Sequence, residues 1–242
     1  MDNEPSGRLQ IGSITSGIKK DSLPMKTIDF VRQRLSAWRD DPARCDEASE
    51  DKLNAQLCKF LDSRARTDFP MVRFNHEEDQ YKSRQVDLSA TPAVKTTIDA
   101  RAYSIYDPFL VLECKRLPAP SSDRTREYVS GGINKKTGGI QRFKLGLHGA
   151  KLDLVAMIGY LQDGSVSGWH KKINKWIAQL CDGTEADCCT WADGEMLELL
   201  DHNQQLGIAT CRSMHSRAGP LADGDVEIHH LWVLMNGARA SN

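Results

Sequence analysis

Phe109-Leu110-Val111-Leu112-Glu113-Cys114-Lys115 is the stretch whose reading decides the fold. Four apolar residues follow the turn signal of Pro108, and so short a run reads as a strand buried on both faces. The strand runs into Glu113 and Lys115. Side chains alternate along a strand, so these two charges point to the same face. Either one buried alone carries a heavy desolvation cost, so the pair needs compensation. One solution is an ion pair at the carboxyl edge of the sheet. The other is a divalent cation that neutralises the acid, with the lysine beside it. Open α/β sheets place ligands at the carboxyl ends of their strands, which suits the second, and the pattern alone leaves both open.

Upstream of this strand, Ile28, Val31 and Leu35 suggest a short helix over 27–38. A firmer helix is expected over 49–66, with Ser49 as N-cap, Glu50 and Asp51 in the first turn, and Leu53, Leu57, Phe60 and Leu61 as one apolar stripe. Residues 71–74, 85–90 and 95–106 read as strands. Downstream, a helix is expected over 140–147 after Gly138-Gly139, and a core strand over 152–161. Trp169, Ile173, Trp176, Ile177 and Leu180 make a helical stripe, and 206–214 and 226–235 read as closing strands. This order predicts one α/β domain over 25–242, a mixed central sheet flanked by helices. Residues 1–24, rich in Gly, Ser and charge, read as a flexible arm.

A metal site beside Glu113 needs further carboxylates, because Mg²⁺ is held by one or two acids together with waters and substrate phosphate. Asp87 is flanked by Val86 and Leu88, and Asp99 shares its strand face with Lys95 and Arg101. The apolar flanks favour Asp87. The shorter spacing to Glu113 favours Asp99, and both stay open. Glu50 lies three residues before Leu53 and seven before Leu57, on the inward stripe of its helix, whereas Glu47 projects elsewhere. Glu50 is then either a partner of the helix dipole or a site residue.

The 242 residues carry a formal net charge of −1, which does not advertise nucleic-acid binding. Local basic stretches stand out nonetheless: Lys135, Lys136, Arg142, Lys144 and Lys151, and then Lys171, Lys172 and Lys175. No apolar run approaches the roughly 20 residues of a membrane span. No apolar core precedes a cleavage site at the N-terminus. Seven scattered cysteines suit a reducing compartment, so a cytoplasmic location is expected. Cys181, Cys188, Cys189, Cys211 and His215 lack the tight Cys-x₂₋₄-Cys pairs of structural zinc. His215 and Arg217 read as a polar loop or as contacts to a nucleic-acid backbone. Of His229 and His230, one must face each side of its strand. No Gly-Lys-Ser/Thr phosphate loop is present, which excludes ATP hydrolysis by a P-loop.

Glu50, then Asp87 (or Asp99), then Glu113-Cys114-Lys115, in that order on helix, strand and strand, resembles the PD-(D/E)XK nuclease superfamily. The resemblance covers about residues 45–180. It implies a restriction-endonuclease-like core and phosphodiester hydrolysis with Mg²⁺ or Mn²⁺. Asp87 and Glu113 would be the metal ligands, Lys115 would position or help deprotonate the attacking water, and Glu50 would be an outer ligand. Members often carry a polar residue on the helix after the motif. Gln141-Arg142-Phe143 fits that place, with Gln141 at the site and Arg142 and Lys144 toward nucleic acid. No proline precedes either candidate aspartate, a departure common in the superfamily. Phe74 to Gln80, Phe109 to Leu117, Glu127-Tyr128-Val129 and Met157-Ile158-Gly159-Tyr160 also resemble restriction-endonuclease-like proteins linked to antiphage defence. The implied partners are DNA, a second copy in a homodimer, and a separate ATPase or sensor subunit of a defence system. The competing expectation is a non-catalytic nuclease-fold module that binds nucleic acid or a partner protein.

Overall fold

The computed structural model describes residues 21–46, 49–80, 84–218 and 220–236. Glu47 and residues 1–20 of the expected arm lie outside them. Residues 22–24, assigned to that arm, instead start a helix, α1 (Leu23–Arg39). Ser22 caps it by accepting from the Met25 N–H, and Pro24 occupies the first turn, where an N–H has no helical partner in any case. The second helix, α2 (Glu50–Asp68), starts with Glu50, although the Ser49 side chain makes no capping bond. Its stripe of Leu53, Leu57, Leu61 and Ala65 is fully buried.

Seven strands form one sheet. In chain order they are β1 (Val72–Asp79), β2 (Gln85–Pro92), β5 (Leu110–Leu117), β6 (Leu154–Leu161), β7 (Glu198–Asn203), β8 (Ile208–Ala218) and β9 (Asp223–Leu234). In space the order is β1-β2-β5-β6-β9-β8-β7. The β5–β6 and β6–β9 pairs are parallel and the others antiparallel, so the sheet is mixed, as expected. Every residue of β6 is buried, which is what a central strand covered on both faces requires.

Two elements differ from expectation. Residues 95–106 do not form one strand. They make a separate hairpin, β3 (Thr96–Ile98) and β4 (Arg101–Tyr103), which turns at Asp99 and Ala100 with φ of 45° and 64°. A left-handed alanine costs about 1–2 kcal/mol, and the turn lacks the Asn-Gly or Asp-Gly signature that marks such hairpins. Strand β7 was not anticipated. It is almost wholly exposed at the sheet edge and shows no apolar alternation.

Helices cover both faces. Val31, Leu35, Trp38, Leu53 and Leu57 pack against Leu88, Leu110, Leu112, Ile158 and Leu231. On the other face α3 (Gly139–Lys144) and α4 (Val166–Cys181) bring Ile140, Phe143, Ile173 and Ile177 onto Val111, Val155 and Trp232. Leu110 and Leu112 thus enter one core and Val111 the other. Each such buried side chain contributes about 1.5–3 kcal/mol.

One joint in the sheet is incomplete. The β2–β5 ladder runs only through Leu88↔Leu112, Ser89↔Val111 and Ala90↔Leu110. Beyond it, Gln85 and Val86 stay with β1 while Glu113 to Leu117 stay with β6. A seam opens between the two halves where the apolar run ends.

Candidate active site

The seam leaves the amides of Cys114 and Arg116 without a neighbouring strand. Carboxylates take that place: Asp87 Oδ2 accepts from the Cys114 N–H at 2.6 Å, and Glu50 Oε2 accepts from the Arg116 N–H at 2.9 Å. A buried N–H left unmade costs about 1–3 kcal/mol, and a charged acceptor makes the stronger bond. Strand β2 supplies one acid and the first turn of α2 the other, so Glu50 is drawn to the sheet edge as well as to its own helix dipole.

Lys115 Nζ lies 3.0 Å from Glu50 Oε1 and 3.0 Å from Glu113 Oε1. Arg142 Nη1 donates to the same Glu113 oxygen at 2.5 Å, and His148 Nδ1 stands 2.8 Å from Glu113 Oε2. Glu113 is fully buried. Burial alone would raise its pKa, but Lys115, His148 and Arg142 outweigh that and hold it well below the ordinary carboxylate range. Burial likewise disfavours the charged lysine, yet Glu113, Asp87 and Glu50 together raise the Lys115 pKa above its ordinary value. Asp87 moves the other way. Burial first and the Glu113 charge second, against Lys115 and the Cys114 N–H, push it up to about 7. The site therefore holds two neighbouring acids that resist ionising together.

That donor set suits a hard divalent cation. Asp87 Oδ1 has no hydrogen-bond partner among the described residues, and a second positive charge would favour both acids in ionised form. Among the described residues no group of three or more His, Cys, Asp or Glu side chains is placed to hold a metal ion. Asp87 and Glu113 are two carboxylates, and Mg²⁺ in general is held by one or two together with waters and substrate phosphate.

Arg142 reaches the site, paired to Glu113, with its side chain 20% exposed. Arg84 Nη1 and Arg142 Nε converge on the Lys136 carbonyl at 3.4 and 3.5 Å. Arg124, whose side chain is 39% exposed, lies within electrostatic reach of Glu50. Three arginines thus stand around the seam, with Arg124 itself paired to Glu127 at 2.6 Å and Arg142 to Glu113 at 2.5 Å.

Three expected site residues go elsewhere. Asp99 sits exposed at the hairpin turn, outside the seven-stranded sheet. Gln141 uses both ends of its amide on the loop before α3. Its Oε1 accepts from the Gly131 and Gly138 N–H groups, and its Nε2 reaches Asp187 Oδ2 at 3.1 Å. It organises that loop and has no capacity left for Lys115 or a phosphate. Lys144 is buried, not free for nucleic acid. Its Nζ lies 2.6 Å from both oxygens of Glu195, donates to the Ser216 carbonyl, and sits over the Trp191 ring. Residues 142 and 144 lie about 200° apart around a helix, so they cannot serve one surface. In the second basic stretch, Lys172 Nζ sits over the Trp169 and Trp176 rings at 4.6 and 5.4 Å, covering the aromatic stripe of α4.

Lys144 belongs to a second polar cluster that the sequence did not disclose. Glu195 Oε2 meets His215 Nδ1 at 3.1 Å; Ser213 Oγ lies 2.8 Å from both His215 Nε2 and His230 Nε2; His230 Nδ1 meets the Tyr128 hydroxyl at 2.8 Å, which accepts from Trp232 Nε1. Ser213, His215 and Glu195 have the connectivity of a hydrolytic triad. Ser213 is only 3% exposed and His215 wholly buried, and the hydroxyl is already held between two imidazoles. The chain of bonds joins β8, β9 and the segment before α3. It holds the fold rather than a substrate. His229 lies on the opposite face of β9, 2.7 Å from Glu227, as the alternation required. His215 and Arg217 are likewise buried, not free for a nucleic-acid backbone.

Comparison of the chain with protein-family models, curated proteins and solved structures yields no match.

Proposed function

We propose that the chain is a metal-dependent nuclease with a restriction-endonuclease-like core, hydrolysing phosphodiester bonds of DNA at the seam. One observation carries the reading: Asp87, bonded to the Cys114 N–H, lies within electrostatic reach of Glu113, with Lys115 3.0 Å from Glu113 and 3.0 Å from Glu50. A structural ion pair would need one acid. Here three acids and two cations share one sheet edge, with the partly exposed Arg124 and Arg142 beside it.

Asp87 and Glu113 would hold Mg²⁺ or Mn²⁺. Such an ion supplies Lewis acidity at the phosphoryl oxygen and a more acidic bound water. The chain's own residues do the rest. Lys115 keeps its proton at neutral pH, so it orients water and offsets charge on the phosphate rather than acting as a base. Glu50 helps fix the ammonium, 3.0 Å from Lys115 Nζ. Arg142, anchored through Nη1 to Glu113 and through Nε to the Lys136 carbonyl, would supply the preorganised positive charge that phosphoryl transfer favours. Cutting both strands needs two such sites, which a second copy would supply, and the defence role rests on the resemblance alone.

The test is nicking of a supercoiled plasmid with and without Mg²⁺, comparing wild type with Glu113→Ala. The reading expects Mg²⁺-dependent nicking that the substitution abolishes. Salt-sensitive DNA binding without cleavage in either protein would assign the chain to the non-catalytic alternative.

A further inference from the structure

His148 lies outside every motif in the sequence, yet it is the partner of the most buried acid. The chain leaves α3, makes a left-handed turn at Gly146 (φ 63°), and turns again at Gly149 (φ 59°). A side chain at Gly146 would strike the Ala222 Cβ at 2.6 Å, and one at Gly149 would press on Val111 and Val155 at 3.0 Å. Between the two turns the backbone folds back on the helix, with the Leu147 N–H donating to the Arg142 carbonyl at 2.9 Å. The His148 ring packs edge-on against Phe143, with centroids 6.4 Å apart, and is 1% exposed. Its Nδ1 meets Glu113 Oε2 at 2.8 Å, and its Nε2 is buried without a hydrogen-bond partner among the described residues.

An isolated buried imidazole would not leave a nitrogen unpaired without some return. The return here is orientation. Lys115 and Arg142 both load Glu113 Oε1, so a carboxylate held only by them is free to pivot about that oxygen. The Nδ1–H bond to Oε2 fixes its plane.

We infer that His148 is a positioning residue that sets the orientation of Glu113 for divalent-cation binding through Nδ1. The inference rests on the nuclease reading above. Partners that orient metal-ligating groups typically change affinity by roughly 10–100-fold when removed.

The test uses Mn²⁺ alone, titrated calorimetrically into the 242-residue chain without nucleic acid, on wild type, His148→Leu and His148→Asn. Leucine fills the space without a donor, and asparagine places an amide N–H near the position of Nδ1. The expected result is a Mn²⁺ dissociation constant raised roughly 10–100-fold by His148→Leu and restored to within about threefold by His148→Asn. Plasmid nicking should follow the same order. Wild-type affinity in both variants overturns the inference, and so does an equal loss in both, which would make the ring's packing the cause. Should His148→Leu fail to fold, His148→Asn decides alone: a loss beyond about tenfold overturns the assignment. Wild-type protein that neither binds Mn²⁺ nor nicks plasmid overturns the nuclease reading itself, and the inference with it.

Discussion

Glu113 and Glu195 are both buried, both held by a lysine and both touched by a histidine, yet their clusters behave as different materials. Around Glu195, Lys144 balances the charge. No buried side-chain atom along Ser213, His215, His230, Tyr128 and Trp232 lacks a partner. Around Glu113, three acids face two cations, Asp87 keeps an oxygen unmade, His148 keeps a nitrogen unmade, and Arg142 reaches solvent. The closed cluster contains the more familiar catalytic residue types. The open one has the capacity to bind something. Unfinished bonding at an accessible edge, more than residue identity, separates a site from a strut.

The comparison can be broken most forcefully from the closed side. Lys144→Met should leave Glu195 buried and uncompensated, lowering stability by about 3–5 kcal/mol in urea unfolding. Nicking per folded molecule should stay near wild type. A stable variant would show that the cluster is no strut. At the open side activity is lost as well. Lys115→Ala should cut nicking per folded molecule by roughly 10²–10³-fold, beyond the stability it loses by leaving buried Glu113 short of a cation, and full nicking by this variant would end the catalytic reading.

Acid sharpens the contrast next. Burial, followed by the charges of His215 and His229, lowers the His230 pKa far below its ordinary value. Burial also lowers that of His215 despite Glu195. Both stay neutral in the folded protein while the unfolded chain takes up protons below about pH 6.5. Their contribution to stability is thus complete above that pH and declines as the pH falls toward their folded values. The decline is at most about 1.4 kcal/mol per pH unit for each histidine. Asp87, pushed up to about 7, takes up its proton in the folded state over the same range and acts in the opposite sense. The slope is therefore read from urea midpoints of Asp87→Asn between pH 7 and pH 5, and a flat profile in that variant would mean that the fold takes up the histidine protons as readily as the unfolded chain. The smallest effect is expected at the rim. Arg124→Ala should weaken DNA binding only a few-fold and reduce the salt dependence by about one ion. An unchanged salt slope would place the nucleic acid away from this edge.

Much of this architecture was legible because it rests on short-range patterns. The apolar run before Glu113, the stripe of α2 and the flanks of Asp87 each encode burial directly, and the sheet placed all three as read. Glu50 was readable as an inward acid, although not that it would reach a strand amide. His148 was not readable. Its approach to Glu113 depends on two left-handed glycines and on the space beside Val111 and Val155, which is long-range information. Lys144 was misread for a related reason. A cluster of positive charges in sequence looks like a surface, but a helix sends residues 142 and 144 to opposite sides, and only the fold shows that Glu195 waits on one of them. The exposed β7 and the Asp99-Ala100 turn escaped because neither follows the composition rules for its element.

The seam also turns the backbone into a reporter. The amide protons of Cys114 and Arg116 are each held by a carboxylate that belongs to the proposed chemistry. Anything that protonates, withdraws or engages Asp87 or Glu50 must alter the bond at one of those amides. Their proton resonances and hydrogen-exchange rates should therefore register events at the acids before any strand moves, so the sheet itself carries two separate readouts, one for each side of the opening.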